Sequence, residues 1–247
     1  ILMKVPILLP NIFNHPFTYE SDLNLKVGDY VVVPFGKSNI TGVVWDEFEK
    51  KNSRNFKIKK VFKKLDVSPL KKTTIKFLNW FSEYNIIPKG MALKLVLLSS
   101  NAVEKFQKDT YNIFNTNVKK NSINLSEEQK KSLKKMNDSN QKFRVHVLQG
   151  TTGSGKTMVY FEALKEIIHK GYQGLILLPE IGLTNQFEKK FIDFFGFTPS
   201  VWHSGIEKKR KEIIWSGIAN GEIKVVIGAR SSLFLPFKKL GLIIVDE

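Results

Sequence analysis

Residues 150–157 read Gly150-Thr151-Thr152-Gly153-Ser154-Gly155-Lys156-Thr157, which fits the phosphate-loop pattern G-x-x-x-x-G-K-[ST] at every fixed position. The spacing is chemical. Glycines let backbone N–H groups curl around phosphate oxygens with no Cβ in the way. Lys156 is placed to reach the β- and γ-phosphates, and the Thr157 hydroxyl to ligate Mg²⁺. Phe143–Leu148, just before the loop, is an apolar-rich run that reads as a strand. Met158–His169, just after it, carries Val159, Leu164, Ile167 and Ile168 at helical spacing. Strand, loop and helix in that order seat phosphates at a helix N-terminus, which commits this half of the chain to an α/β fold.

The rest of the second half agrees. From Leu125 the pattern alternates helix and strand: helix over 126–136 opened by the capping box Ser126-Glu127-Glu128-Gln129, strand over 174–178, helix over 184–195, strand over 199–202, helix over 207–219, and strands over 224–227 and 240–245. Strands that are unbroken apolar runs between helices predict a parallel sheet covered on both faces. The last of them, Leu240-Gly241-Leu242-Ile243-Ile244-Val245, ends in Asp246-Glu247. With a phosphate loop upstream, Asp246 is expected to hold Mg²⁺ and Glu247 to polarise the attacking water. An Asp-Glu pair there belongs with ATPases that hydrolyse to do mechanical work. Two further segments, Leu178-Pro179-Glu180-Ile181-Gly182-Leu183-Thr184 and Gly228-Ala229-Arg230-Ser231-Ser232-Leu233-Phe234, lie just past strands, where open α/β sheets bind ligands. Pro179, Glu180, Gly182, Thr184, Arg230 and Ser231 are the candidates there for contacts to nucleic-acid phosphate and sugar.

The first half reads differently. Short apolar runs at 3–9, 30–34 and 42–45, punctuated by Pro10-Asn11, Gly28-Asp29 and Gly36-Lys37-Ser38-Asn39, predict a small β-rich barrel or sandwich. Residues 49–72 carry ten basic side chains, among them Lys59, Lys63 and Lys64, interleaved with Phe56, Ile58, Val61, Phe62 and Leu65. Apolar interleaving implies an ordered segment, and an ordered basic stripe suits a phosphate backbone. Here the charge matters: +16 from 39 Lys+Arg against 23 Asp+Glu implies a polyanionic partner, nucleic acid first. Residues 73–98 read as helical, with Ile75, Leu78, Trp80, Phe81 and Tyr84 forming a stripe expected to face the core. Residues 99–124 read as a polar linker. The absence of Cys excludes disulfides and Cys-ligated zinc from these residues. No run approaches a membrane span, and a cytoplasmic protein with no membrane partner is expected.

These strings together resemble one family. Gly150–Thr157, Leu178–Gln186, His203-Ser204-Gly205, Val226–Phe237 and Leu240–Glu247 are similar to the primosomal replication-restart helicases, the PriA family within superfamily 2; the Pro179-Glu180-Ile181-Gly182-Leu183-Thr184 string is the most specific. His15-Pro16-Phe17-Thr18-Tyr19, Val33-Pro34-Phe35-Gly36-Lys37 and Gly42-Val43-Val44 resemble that family's fork-recognition domain. The resemblance implies a β-rich domain over 1–98 that binds a 3′ end at a fork, the linker 99–124, and a RecA-like P-loop helicase lobe over 125–247 of DEAH type. It implies an ATP-dependent 3′→5′ DNA helicase acting in replication restart and primosome assembly. Its cofactors would be ATP and Mg²⁺. Its partners would be forked and single-stranded DNA, other primosome proteins and single-stranded-DNA-binding protein.

The implied residue roles follow. Gln129 would read the adenine edge; Gly150, Thr151, Thr152, Gly153, Ser154, Gly155, Lys156 and Thr157 would hold the phosphates; Thr157 and Asp246 would hold Mg²⁺; and Lys156, Asp246 and Glu247 would carry the hydrolysis. Phe17, Thr18, Gly36, Lys37 and Lys59 would line a pocket for the 3′-terminal nucleotide. Thr18 departs from the family's frequent Asp; an uncharged hydroxyl should hold a 3′-OH less firmly. Residues 99–124 are too few for the winged-helix domain that most members carry there. The chain is read as an amino-terminal fragment, with the second lobe, its arginine and the zinc-binding cysteines beyond Glu247, and so of little activity alone. Two other readings stay open on sequence: another superfamily 2 DNA translocase, and a nucleotide-switched DNA-binding protein without motor activity.

Overall fold

The computed structural model describes residues 2–48, 58–98, 103–106, 124–137, 143–179 and 185–246. The chain falls into two compact units. The first comprises residues 1–110 with 205–220 and 233–238, the second residues 111–204 with 221–232 and 239–247.

The first unit is built on a five-stranded antiparallel sheet: β1 (Met3–Leu8), β2 (Phe17–Ser21), β3 (Tyr30–Phe35), β4 (Ser38–Val44) and β5 (Lys63–Lys64), in the order β2-β1-β4-β3-β5. The segment leading into β5 closes it. Lys60 bridges Glu20 of β2, with Glu20 N–H donating to Lys59 O and Val61 N–H to Glu20 O. Two residues later Phe62 N–H donates to Val32 O, and β5 pairs with Val31 and Val32 of β3. One short stretch therefore joins the two edges, and the expected barrel-like module is found. Alternation places Val5, Ile7, Leu9, Tyr19, Val31, Val33, Val44 and Val61 inside. Each fully buried Val or Ile contributes about 1.5–3 kcal/mol relative to exposure. At Gly28 φ is +94°, and a Cβ would stand 2.2 Å from Leu70 O, so this turn admits glycine alone.

The helical stretch expected over 73–98 is two helices, α1 (Lys72–Tyr84) and α2 (Lys89–Leu97). Pro88 separates them: it has no N–H to continue α1 and restricts the residue before it. Asn85 Nδ2 closes the last turn of α1 on Phe81 O at 2.9 Å. Ile75 and Leu78 are buried as expected, but Trp80 is 54% and Tyr84 73% exposed. The aromatic stripe is thus split. Phe81 meets Phe234 edge-on at 4.9 Å, while Trp80 and Tyr84 stack on each other at 5.1 Å on the outer face.

Helix α6 (Lys208–Asn220) belongs to this first unit through Trp215, whose indole N–H donates to Val96 O at 2.8 Å and whose ring meets Tyr30 and Phe106.

The second unit is α/β. Strands β6 (Gln173–Leu177), β7 (Ser200–Trp202), β8 (Val225–Gly228) and β9 (Leu240–Val245) form an all-parallel sheet in the order β7-β8-β6-β9. Its helices are α3 (Glu127–Asn137), α4 (Lys156–His169) and α5 (Asn185–Phe195). The core is largely aromatic: Phe161 is fully buried, with Phe187, Phe191, Phe194 and Phe195 around it at 5.2–5.9 Å. Aromatic edge-to-face pairs add about 0.5–1.5 kcal/mol beyond their buried area.

One expected strand does not form. Residues 143–148 run irregularly into the phosphate loop, with Phe143, Val145 and Val147 at 82%, 73% and 90% exposure. A strand is held by a hydrogen-bonded neighbour, and among the described residues none pairs with this run.

Candidate functional site

The phosphate loop and the carboxyl ends of three strands build one site in the second unit. Gly155 caps α4 with φ +81°, a left-handed turn that lets the loop enter the helix directly. The side chain of Lys156 folds back over the loop, its ammonium donating to Gly150 O at 2.7 Å and Thr151 O at 3.0 Å. The Lys156 ammonium is thus held against two carbonyls at the start of the loop.

Gln129 reaches the same loop. It closes the expected capping box, with Ser126 N–H donating to its Oε1 at 2.9 Å and its own N–H donating to Ser126 Oγ at 3.3 Å. Its Nε2 donates to Ser154 O at 3.1 Å. The adenine-reading side chain expected from the sequence therefore sits against the loop, with its amide group already engaged there.

At the far end of the sheet, Leu177 of β6 stands beside Gly228 of β8 and Val245 of β9. Because the strands are parallel, Pro179, Arg230 and Asp246 all emerge at this edge, and Pro179, Arg230 and Ser231 are exposed. Asp246 is tied to α4: its Oδ2 accepts a hydrogen bond from the Tyr160 hydroxyl at 2.6 Å. Thr157, one turn earlier on α4, also hydrogen-bonds Tyr160. Burial, then acceptance by Asp246, pushes the Tyr160 phenol well above its ordinary range. The structure thus brings Thr157 and Asp246 together around a third residue that sequence reasoning missed. Its only sequence signal was a Tyr one turn into the helix after the loop.

The donor set suits magnesium. A threonine hydroxyl and a carboxylate are hard oxygen ligands, and Mg²⁺ commonly takes one or two such groups, completing its shell with water and phosphate. Among the described residues there is no cluster of three or more His, Cys, Asp or Glu that would form a metal cage without them. Glu247, Glu180, Gly182 and Thr184 lie outside the described residues.

A second group of candidates lies in the barrel. Gly36-Lys37 forms the tight turn between β3 and β4, where Phe35 pairs with Ser38, Gly36 has φ +59° and open space surrounds its Cα. Lys59 comes to this turn, its ammonium donating to Gly36 O at 3.4 Å. Phe17 stands beside it, in ring contact with Phe35 at 5.3 Å, His15 at 4.9 Å and Phe13 at 5.3 Å. Phe17, Gly36, Lys37 and Lys59 are therefore brought together, at the rim of an aromatic group that includes two rings, Phe13 and His15, not singled out from sequence. Thr18 is next to Phe17 in β2, but strand alternation turns it to the other face. Among the described residues no hydrogen bond joins its hydroxyl to this group.

Two family models match the chain. Residues 4–98 match the PriA 3′ DNA-binding domain (3′BD), and residues 116–247 match the DEAD/DEAH box helicase family. A replication restart protein PriA from Rickettsia conorii is 40% identical over 243 residues, covering 98% of this chain and 36% of that protein. The protein of the same name from Bacillus subtilis is 38% identical over 125 residues, covering 50% and 16%. That from Helicobacter pylori strain 26695 is 41% identical over 123 residues, covering 50% and 19%. The chain spans about a third of the length of the Rickettsia relatives it matches.

Proposed function

The chain belongs to the PriA family of DEAD/DEAH box helicases, and on that premise we propose that it is part of an ATP-dependent 3′→5′ helicase that restarts replication at forks. A DEAD/DEAH helicase domain implies ATP and usually Mg²⁺. In our reading Lys156 and the loop amides of residues 150–157 bind the phosphates, and Gln129 exchanges its Ser154 contact for the adenine edge. Thr157 and Asp246 hold the magnesium ion, which supplies neutralisation of the charge that develops on the phosphates. Glu247 orients and deprotonates the attacking water. Pro179, Glu180, Gly182, Thr184, Arg230 and Ser231 grip single-stranded DNA along the sheet edge where Pro179 and Arg230 emerge.

The barrel supplies fork recognition. Phe17 offers a ring face to the last base, Lys37 and Lys59 meet the adjoining phosphate, and the Gly36 turn leaves room for the sugar. The observation that carries this reading is the convergence of Phe17, the open Gly36-Lys37 turn and Lys59 at one rim of the barrel, inside the segment that matches a 3′ DNA-binding domain. Other primosome proteins and single-stranded-DNA-binding protein are the proposed protein partners.

The test is equilibrium binding to a fork with a leading-strand 3′ end at the branch and to a fork without one, at fixed salt. Phe17→Ala should abolish the preference while leaving binding to the second fork within about twofold, since stacking on one ring supplies about 1–3 kcal/mol. Lys59→Ala should weaken both and reduce the salt slope by about one. Equal preference in wild type and Phe17→Ala would refute the pocket.

A further inference from the structure

Tyr160 is 7% exposed and lies one helical turn past Thr157 on α4. Its ring needs no hydroxyl for packing: it meets Phe161 edge-on at 5.3 Å and belongs to the apolar core of the second unit. The oxygen is nevertheless fully used. It donates to Asp246 Oδ2 at 2.6 Å and hydrogen-bonds the Thr157 side chain as well. Asp246 itself follows β9 at the sheet edge, anchored by its N–H to Leu177 O at 3.1 Å. Its carboxylate has two soft torsions, and the described contact that fixes it is the Tyr160 hydroxyl.

We propose that Tyr160 is a positioning residue for magnesium: its hydroxyl holds one carboxylate oxygen of Asp246 and orients the Thr157 hydroxyl, so that the remaining oxygens of both side chains converge on one ion. The proposal rests on the reading of Thr157 and Asp246 as the magnesium-holding pair. A neutral donor on the second carboxylate oxygen fixes direction without repelling the ion, which an ammonium there would do. Tyr160 touches neither phosphate nor metal, so its loss should change metal affinity and leave the affinity of the loop for nucleotide alone.

The experiment is fluorescence binding of N-methylanthraniloyl-ADP to the chain, first in EDTA and then titrated with Mg²⁺. Wild type, Tyr160→Phe and Asp246→Asn are compared, with thermal melting of each. Tyr160→Phe should keep the metal-free nucleotide affinity within about twofold and raise the Mg²⁺ midpoint at least about fivefold, toward that of Asp246→Asn. A Tyr160→Phe midpoint equal to wild type while Asp246→Asn shifts would overturn the proposal. An unmoved midpoint in Asp246→Asn would remove the metal assignment itself, and the proposal with it. A readout independent of the variant's folding is the ¹³Cζ spectrum of the wild-type chain, which has six tyrosines. In the ADP complex one tyrosine resonance should move on adding Mg²⁺; no movement would equally overturn the proposal.

Discussion

Lys156 shows what a single residue contributes here. Its ammonium rests on two carbonyls of its own loop, contacts that the proposed reading exchanges for phosphate. Lys156→Ala should weaken nucleotide binding at least tenfold, about 1.4 kcal/mol, while the urea midpoint moves by less than about 0.5 kcal/mol in stability. Fluorescent nucleotide titration beside urea melts would check both. Tyr30 makes the opposite case. It is 1% exposed and its hydroxyl has no hydrogen-bond partner among the described residues. Burial raises its pKa, and also pushes the Tyr19 phenol up to about 12. The unfolded phenol ionises near 10, so the unfolded chain loses these protons first. Stability from these groups is therefore complete below pH 10 and is lost as pH rises through 10 to 12. Tyr30→Phe should be neutral or slightly stabilising at pH 7 and should flatten that alkaline decline, measured by denaturant melts from pH 8 to 11.5. Neither the missing partner of Tyr30 nor the contact of Tyr160 with Asp246 was legible in the sequence, because each depends on what lies opposite a ring in the folded core. The phosphate loop was legible residue by residue, because its chemistry is carried by backbone and local spacing.

The elements divide in the same way. Strands β6, β8 and β9 and helices α3 to α6 stand within one or two residues of where periodicity put them, since each is fixed by its own apolar pattern. β2 was seen as a motif and not as a strand, because Phe17–Ser21 alternates only weakly and is held by pairing to β1. The run 143–148 errs the other way: its apolar content is strand-like, yet a strand also needs a partner. The exposed pair Trp80 and Tyr84 marks the same limit, since helical spacing reports a stripe and not which part of it is covered. Two substitutions measure the contrast. Val147→Asp, at a position 90% exposed, should change stability by less than about 0.5 kcal/mol. Phe161→Ala, with four other phenylalanines around it, should cost about 3–5 kcal/mol. Chemical melts of both would contradict this account if the costs were similar.

At the scale of the whole molecule, a basic barrel with an open, aromatic-rimmed turn and an α/β unit with a phosphate loop share one chain. A net charge of +16 favours any polyanion, so affinity for DNA alone would not test the proposed reading. The central claim is that the barrel recognises the chemical end of a strand. The direct measurement is binding of the chain to a fork whose leading strand ends at the branch in a 3′-hydroxyl, against the same fork ending in a 3′-phosphate, at one ionic strength. We predict a preference for the hydroxyl of roughly tenfold or less, since one buried hydrogen bond to the strand end contributes about 1 kcal/mol. That preference should disappear in Phe17→Ala. Equal binding of the two forks would contradict it, and would leave the barrel as a basic surface that holds DNA without reading its end.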